Sequence, residues 1–362
     1  MDHVIDADTH IIESQGMWDL IDEEYYARRP VLMSVPDDTL YQNRNAFWLI
    51  DGNIFPKPAG KGGFNLATPS ASIVQQLNRD MPIPSKEITD PALRVAEMDR
   101  LEITRQVIYP TLFLVYLTDD AGLETALCRA YNRFMANVWA SYPDRLNWVV
   151  VPPLRSIEAS IEEIAEAKQH GAVGVFFRGL EGERTIDDPY FFPIYEEAAR
   201  QDLPICIHTG SGCPSFTALF HLERNFTFAH GRLLPLIAFR DIIANHLPEQ
   251  FPNLRFGFIE ASAGWVPYVL HTLSRVLAQR GKSLPDDLFR EYRLFVACEA
   301  DEDIPYLTQY TGADNIMIGS DYGHKDPSNE PLLVETMQGR GDLDDALLRK
   351  ILCDTPRTFY GL

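Results

Sequence analysis

V-I-D-A-D-T-H-I-I-E, residues Val4 to Glu13, is a short apolar run interrupted by acids that closes on a carboxylate, a hydroxyl and an imidazole. Apolar residues alternating with acids read as a strand, and the polar triplet Asp8, Thr9, His10 stands near its carboxyl end. Side chains on a strand alternate between faces, so Asp8 and His10 project the same way, about 6.5 to 7 Å apart along the backbone. Two metal-ligand types on one face suit a divalent cation. A solvated turn would also accommodate a lone D-x-H, so the reading depends on what the rest of the chain brings to the same place.

Working outward, residues 14–91 form an irregular stretch rich in aromatics (Trp18, Tyr25, Tyr26, Phe47, Trp48, Phe55, Phe64) and punctuated by Pro and Gly, notably in F-P-K-P-A-G-K-G-G-F, Phe55 to Phe64. Loops of that length are uncommon unless functional or disordered, and the aromatic content argues against disorder. The expectation is a folded cap forming one wall of a pocket, with Trp48 against the substrate. An ordinary packing insertion or an oligomer surface is the other reading.

From Asp90 onward helix and strand signals alternate. D-P-A-L-R-V-A-E-M-D-R-L opens with an N-cap acid and a Pro at the first helical position, and Q-V-I-Y-P-T follows as a buried strand. Leu123, Leu127, Ala130, Tyr131, Phe134 and Val138 keep helical spacing before the strand N-W-V-V-V-P. The unit recurs with strands A-V-G-V-F-F-R, L-P-I-C-I-H, L-R-F-G-F-I-E, R-L-F-V-A-C-E and N-I-M-I-G-S-D, with one longer connection from His208 to about Gly231. Strands near residues 4, 106, 147, 172, 204, 254, 293 and 315, separated by helices, predict an α/β fold, a closed parallel (β/α)8 TIM barrel in one domain spanning 1–362 with an insertion after the first strand. A doubly wound open sheet is the rival, but no G-x-G-x-x-G follows the first strand.

Composition narrows the function classes. Asp and Glu outnumber Lys and Arg 52 to 32, a formal charge of −20, with no basic cluster to follow a phosphate backbone, which excludes nucleic acid as a partner. The five cysteines are scattered without C-x-x-C spacing, unlike a disulfide framework or zinc ribbon, and fit a reducing cytoplasm. There is no basic, apolar leader and no run near the ~18 apolar residues of a membrane span. The expectation is a soluble, cytoplasmic protein.

In a parallel barrel the reactive groups gather where strands end. Those ends carry Asp8 and His10, Arg178, His208, Glu260, Glu299 and Asp321. Ionisable groups recurring at one end of a buried barrel are costly unless paired or metal-bound. Arg178 serves either as a two-pronged clamp for a substrate carboxylate or as a structural ion pair. Glu260 either moves a proton, orienting water, or supports the site from behind. His230, in F-A-H-G-R, and His324 are further pocket candidates. Glu299 reads as support, and Asp301, Glu302 and Asp303 as a charge run at a helix start.

The D-x-D-x-H-x-x-E pattern (Asp6, Asp8, His10, Glu13), I-H-T-G around His208, F-P-N-L-R-F-G-F-I-E-A-S-A-G-W-V-P from Phe251 to Pro267, and I-G-S-D-Y-G-H from Ile318 to His324 resemble the amidohydrolase superfamily. The likeness runs in order to the terminal R-T-F-Y-G-L and is nearest the amidohydrolase-2 group, which includes aminocarboxymuconate-semialdehyde, γ-resorcylate and 5-carboxyvanillate decarboxylases. The resemblance implies one divalent metal, zinc or manganese, held by Asp8, His10, His208 and Asp321. It implies a small carboxylate substrate and a homodimer or higher homo-oligomer. It further implies a non-oxidative decarboxylase acting on an aromatic or unsaturated acid, with Asp321 delivering the proton. Two other outcomes stay open: a metal-dependent hydrolase that activates water against an amide, ester or lactone, and a metal-binding barrel without turnover. Two positions depart from the pattern. Glu260 stands where the family's decarboxylases carry a strand-six His, and Arg178 lies near the strand-four position at which dinuclear relatives carry a carbamylated Lys.

Overall fold

Eight parallel strands pair in chain order: β1 Ile5–Ile11, β2 Arg105–Pro110, β3 Leu146–Val150, β4 Ala172–Arg178, β5 Ile205–His208, β6 Phe256–Ile259, β7 Leu294–Cys298 and β8 Ile316–Ile318. The computed structural model describes residues 3–362 apart from 40, 42, 66, 78, 79 and 226–230. Beyond its last regular residue, β8 closes onto β1: Asp321 N–H donates to the Asp8 carbonyl (3.0 Å) and His10 N–H to the Tyr322 carbonyl (2.7 Å). The eight strands therefore form a nearly closed barrel, as their spacing and continuous apolar character predicted.

The helices between them are α1 Pro91–Arg100, α2 Ala121–Ser141, α3 Ile157–Gln169, α4 Phe192–Arg200, α5 Leu233–Ala244, α6 Val266–Gln279 and α7 Ile304–Thr311. Several begin where capping chemistry says they should. Asp90 accepts from Leu93 N–H at 3.2 Å with Pro91 as the first helical residue, Ser156 caps α3, and Asp303 accepts from Tyr306 N–H at 3.0 Å. The barrel strands are buried along almost their whole length, which is why they read as apolar runs without alternation. The C-terminal helix Thr355–Tyr360 seals the interior. Tyr360 donates to the Ala7 carbonyl (2.7 Å), and the Phe359 ring lies so close to Gly257 that a Cβ there would sit 2.2 Å from it.

The region between β1 and α1 contains a three-stranded antiparallel sheet, Val31–Ser34, Ala46–Ile50 and Asn53–Phe55, with short helices beside it. Sequence periodicity did not resolve these strands because each is only a few residues long. The glycine-rich turn after them docks on the long connection following β5: Gly62 N–H donates to the Phe220 carbonyl (3.0 Å) and Leu222 N–H to the Gly60 carbonyl (3.1 Å). Gly63 fits there because a Cβ would lie 2.7 Å from that of Leu222. The insertion thus packs against the long connection that follows β5.

Candidate metal centre

The barrel interior converges on its carboxyl-terminal end. Asp8 and His10 lie at the end of β1, and His208 is the last residue of β5. Glu260 follows β6 directly, and Asp321 stands just beyond β8. All five are buried. Nε2 of His208 is 3.3 Å from Oδ1 of Asp8 and 3.5 Å from Oε2 of Glu260. Nε2 of His10 is 3.5 Å from Oδ1 of Asp8, 3.5 Å from Oδ1 of Asp321 and 4.0 Å from Oε2 of Glu260. Ligand atoms of Asp8, His10, His208 and Glu260 lie within 4.8 Å of one another, and so do those of His10, Glu260, Asp321 and His324.

Hydrogen bonding fixes the tautomers. His10 Nδ1 faces the Pro110 carbonyl at 3.0 Å and His208 Nδ1 the Thr209 carbonyl at 2.9 Å. A carbonyl only accepts, so in both rings Nδ1 carries the hydrogen, and in the neutral ring Nε2 turns a lone pair to the cluster. Burial, then the neighbouring His324 and His208, pushes His10 well below the ordinary imidazole range, so it is neutral. For His208 burial acts in the same sense, but the Asp8 and Glu260 carboxylates outweigh it and its value is raised.

His324, predicted to line the pocket, is part of the cluster and stacks on His10 with ring centroids 3.8 Å apart. Thr111 donates its hydroxyl hydrogen to the Ile11 carbonyl (2.7 Å) and so accepts from His324 Nε2 (2.9 Å). Nδ1 of His324 therefore offers a lone pair toward Oδ1 of Asp321, 2.8 Å away. Two acceptors that close repel unless a proton lies between them. Burial, then the charges of Asp326 and Asp8, raises Asp321 well above the carboxylate range, in keeping with a held proton. Glu260 is raised likewise, by burial first and then by Asp321 and Asp326.

Both loop-borne carboxylates sit on left-handed backbone, Glu260 at φ 53° and Asp321 at φ 52°. Such conformations cost of order 1–3 kcal/mol in a non-glycine residue and persist only where surroundings enforce them. At Glu260 the enforcing group is Arg232, which donates to the Glu260 carbonyl (2.7 Å) and to Glu299 (2.6 Å). Glu299, expected as support, is half-buried and accepts from Arg232. Glu302 does more than open a helix: it accepts from Ala263, Gly264 and Glu299 N–H groups, tying the loop after β7 to the loop after β6. At Asp321 the clamp is Asp6, whose carboxylate accepts both the N–H (2.8 Å) and the hydroxyl (2.6 Å) of Ser320. Glu13 accepts from the Thr111 and Leu112 N–H groups, both at 2.9 Å, and so fixes the loop that meets His324.

Of the two roles open to Arg178, the ion pair is the one present. Its guanidinium meets Glu181 at 2.6 Å and donates to the Phe113 and Val115 carbonyls, so it is committed rather than free to clamp a substrate. Trp48 is buried edge-on against Trp18, centroids 6.1 Å apart, in the packing of the insertion. Among the described residues of the insertion, Phe64 lines a small cavity beside Glu260 with Leu114, Thr209, Arg232 and Asp326. His230 lies outside the described residues. Arg232 and Asp326 were not singled out in the sequence. Arg232 stood in the same F-A-H-G-R run as His230, but its value depends on contacts with β6 and β7 that no local pattern reveals.

The donor set suits a divalent ion. His10 Nε2, Glu260 Oε2 and the Asp321 carboxylate oxygens are buried without a hydrogen-bond partner. Unpaired buried charge is expensive, and a cation among these atoms would relieve it.

Residues 5–362 match the Amidohydrolase family model. The chain belongs to that family. Among curated relatives, 2-amino-3-carboxymuconate-6-semialdehyde decarboxylase of Dictyostelium discoideum is 27% identical over 122 residues, which is 33% of either chain, so the match spans about a third of that relative's length. An amidohydrolase from Mycobacterium avium subsp. paratuberculosis K-10 superposes with a TM-score of 0.72 over 100% of both chains at 18% identity. The 5-carboxyvanillate decarboxylase of Novosphingobium aromaticivorans, solved with manganese and 4-hydroxy-3-methoxy-5-nitrobenzoic acid, gives a TM-score of 0.63 at 20% identity, covering 75% of this chain and 80% of that one. A Rhizobium 2,6-dihydroxybenzoate decarboxylase gives 0.61 at 18%, covering 74% and 87%. At such identities these superpositions establish the barrel of this amidohydrolase, and no helix among its described residues is long and apolar enough to cross a membrane.

Proposed function

We propose that this amidohydrolase is a metal-dependent decarboxylase that removes carbon dioxide from a small aromatic or unsaturated carboxylic acid. The carrying observation is the convergence of the Nε2 atoms of two buried imidazoles with carboxylate oxygens that are buried and unpartnered at the barrel mouth. Decarboxylases among the relatives support the choice of reaction. Asp8, His10, His208 and Asp321 would hold one divalent ion, zinc or manganese. Bound there, the ion supplies charge stabilisation to a substrate carboxylate and its neighbouring oxygen without redox chemistry. Asp321 keeps a proton between itself and His324 and delivers it to the carbon that loses the carboxylate. Phe64, Leu114 and their neighbours exclude water from that transfer.

Hydrolysis is the second reading, favoured by Glu260 at the strand-six position: Asp321 would then accept a proton from water attacking an amide, ester or lactone. The two separate in one assay. Aromatic and unsaturated carboxylic acids are incubated with manganese-loaded protein in D2O, beside a panel of amides and lactones. Carbon dioxide release with deuterium at the vacated carbon, lost in Asp321→Asn, is the expected result. Hydrolysis without carbon dioxide release would overturn it. A homodimer or higher oligomer belongs to the same proposal through the family. So does a cytoplasmic setting, with which all five cysteines being free is consistent.

A further inference from the structure

The three-stranded sheet of the insertion ends on the strand Val31–Ser34, which is paired on one side only. Its register sets Val31 against Leu49, Leu32 against Trp48 and Met33 against Phe47, and Val35 continues it by donating its N–H to the Asn45 carbonyl (2.8 Å). In an antiparallel pair, residues bonded to the neighbouring strand alternate with residues whose N–H and C=O groups point away. Val31, Met33 and Val35 therefore face the middle strand, and Leu32 and Ser34 turn their backbone groups outward. Among the described residues nothing pairs with those groups. The run V-L-M-S-V also lacks the charged residues that usually blunt an edge, and Val31 and Leu32 are 47% and 37% exposed.

We propose that this edge is an interface with a second copy of the chain, the two edge strands pairing antiparallel about a two-fold axis at Met33 to join the two insertions into one continuous sheet. Leu32 of each copy then lies opposite Ser34 of the other, and each such pair exchanges its N–H and C=O groups, so every outward group is used. Pro30 and Pro36 hold the next outward positions and fall opposite each other. Neither has an N–H to donate, so the ladder stops there without an unpaired donor. This surface does not depend on the decarboxylase reading; it gives the homo-oligomer expected beside it a place on the fold.

Side chains and charge fit the same register. Val31 meets Val35 of the second copy and Met33 meets its own equivalent, so the rows Val31–Leu49–Ile54 and Met33–Phe47 continue across the axis as apolar neighbours. Just beyond the prolines, Arg29 comes opposite Asp37 of the second copy. Asp37 is exposed, and the acid nearest Arg29 in its own chain, Asp19, is 3.8 Å away, while the guanidinium rests over the Tyr26 ring. Arg28 is already held by Asp51 and Asp120 and takes no part. Opposite charges at the two ends of one strand are self-complementary only when the copies run antiparallel; a parallel, in-register pair would set Arg29 against Arg29 and Asp37 against Asp37.

The test is sedimentation of the full-length parent and Ser34→Pro across a range of concentrations, beside oxidised-glutathione cross-linking of Met33→Cys and Leu32→Cys. Ser34→Pro removes an outward N–H and leaves the pairing with the middle strand intact, so it should keep the parent's melting temperature and dimerise about tenfold or more weakly. A non-hydrogen-bonded pair on the axis places its Cα atoms about 4.5 Å apart, within disulfide reach, so Met33→Cys should link into dimers and Leu32→Cys, which faces Ser34, should not. The five native cysteines are buried and do not compete. A parent dimer that Ser34→Pro leaves unchanged, or Met33→Cys chains that stay unlinked, would overturn this surface and leave the oligomer standing on another. A parent that is monomeric at every concentration would overturn both.

Discussion

The two halves of the candidate centre are built by different means. On the β1 and β5 side, His10 and His208 stand on strands, each ring oriented by one carbonyl: that of Pro110 at the end of the neighbouring β2 for His10, and that of Thr209, the next residue, for His208. On the β6 and β8 side, Glu260 and Asp321 stand on left-handed loop residues held by distant clamps, Arg232 in one case and Asp6 through Ser320 in the other. Strand geometry places the first pair almost automatically. Tertiary contacts must place the second, so the carboxylate half is where small changes elsewhere in the chain will reach the chemistry.

Removing a strand-borne donor should have the largest effect. His208→Ala is expected to fold, lose its metal and lower turnover by about a thousandfold or more, the scale set by losing electrostatic stabilisation of the reacting charge; metal analysis with steady-state kinetics checks it. A clamp should matter less. Asp6→Asn loses the pairing with Ser320 and is expected to weaken metal binding or activity about 10- to 100-fold, the usual range for a residue that orients a ligand from behind. If Asp6→Asn matches the parent in both, the distinction between the halves fails.

The strand-borne half was legible because it is local. Period-two alternation put Asp8 and His10 on one face, and mostly continuous apolar runs marked the strands that follow. The loop-borne half was legible only as residue types. Nothing in F-A-H-G-R indicates that Arg232 reaches the Glu260 carbonyl, because the contact spans 28 positions and depends on barrel closure. Arg178 shows the same limit in reverse. A strand-end arginine suggests a substrate clamp, yet the chain turns at Gly179 and brings back Glu181 to neutralise it. Trp48 looked like a pocket residue because aromatics cluster in the insertion, but it packs against Trp18 in the core that the insertion shares with the barrel.

Glu124 provides a control for the carboxylate half. It is largely buried beneath the loops after β3 and β4, accepts from Arg155 N–H (2.8 Å), and burial raises it to about 7. The folded state holds this proton more tightly than the unfolded chain, so Glu124 favours folding below about 4.5 and loses that contribution as pH rises to about 7. Glu124→Gln should remove on the order of 1–3 kcal/mol from the fall in stability between those limits, read by urea unfolding at pH 5 and 8, with metal affinity unchanged. An altered metal affinity would mean the buried acids of the mouth act as one network.

The smallest effect is expected at the insertion. Phe64→Ala opens one wall of the cavity and should raise KM about three- to tenfold, as loss of roughly 1 kcal/mol of apolar contact would, while leaving metal content intact. A change in kcat alone would point to Phe64 shaping the reacting groups rather than the wall.

The most direct measurement is elemental analysis of the purified protein and of His208→Ala after dialysis against metal-free buffer. About one zinc or manganese ion per parent chain and none in the variant is the result this account predicts. Absence of metal from the parent, with no uptake when either ion is added back, would contradict it.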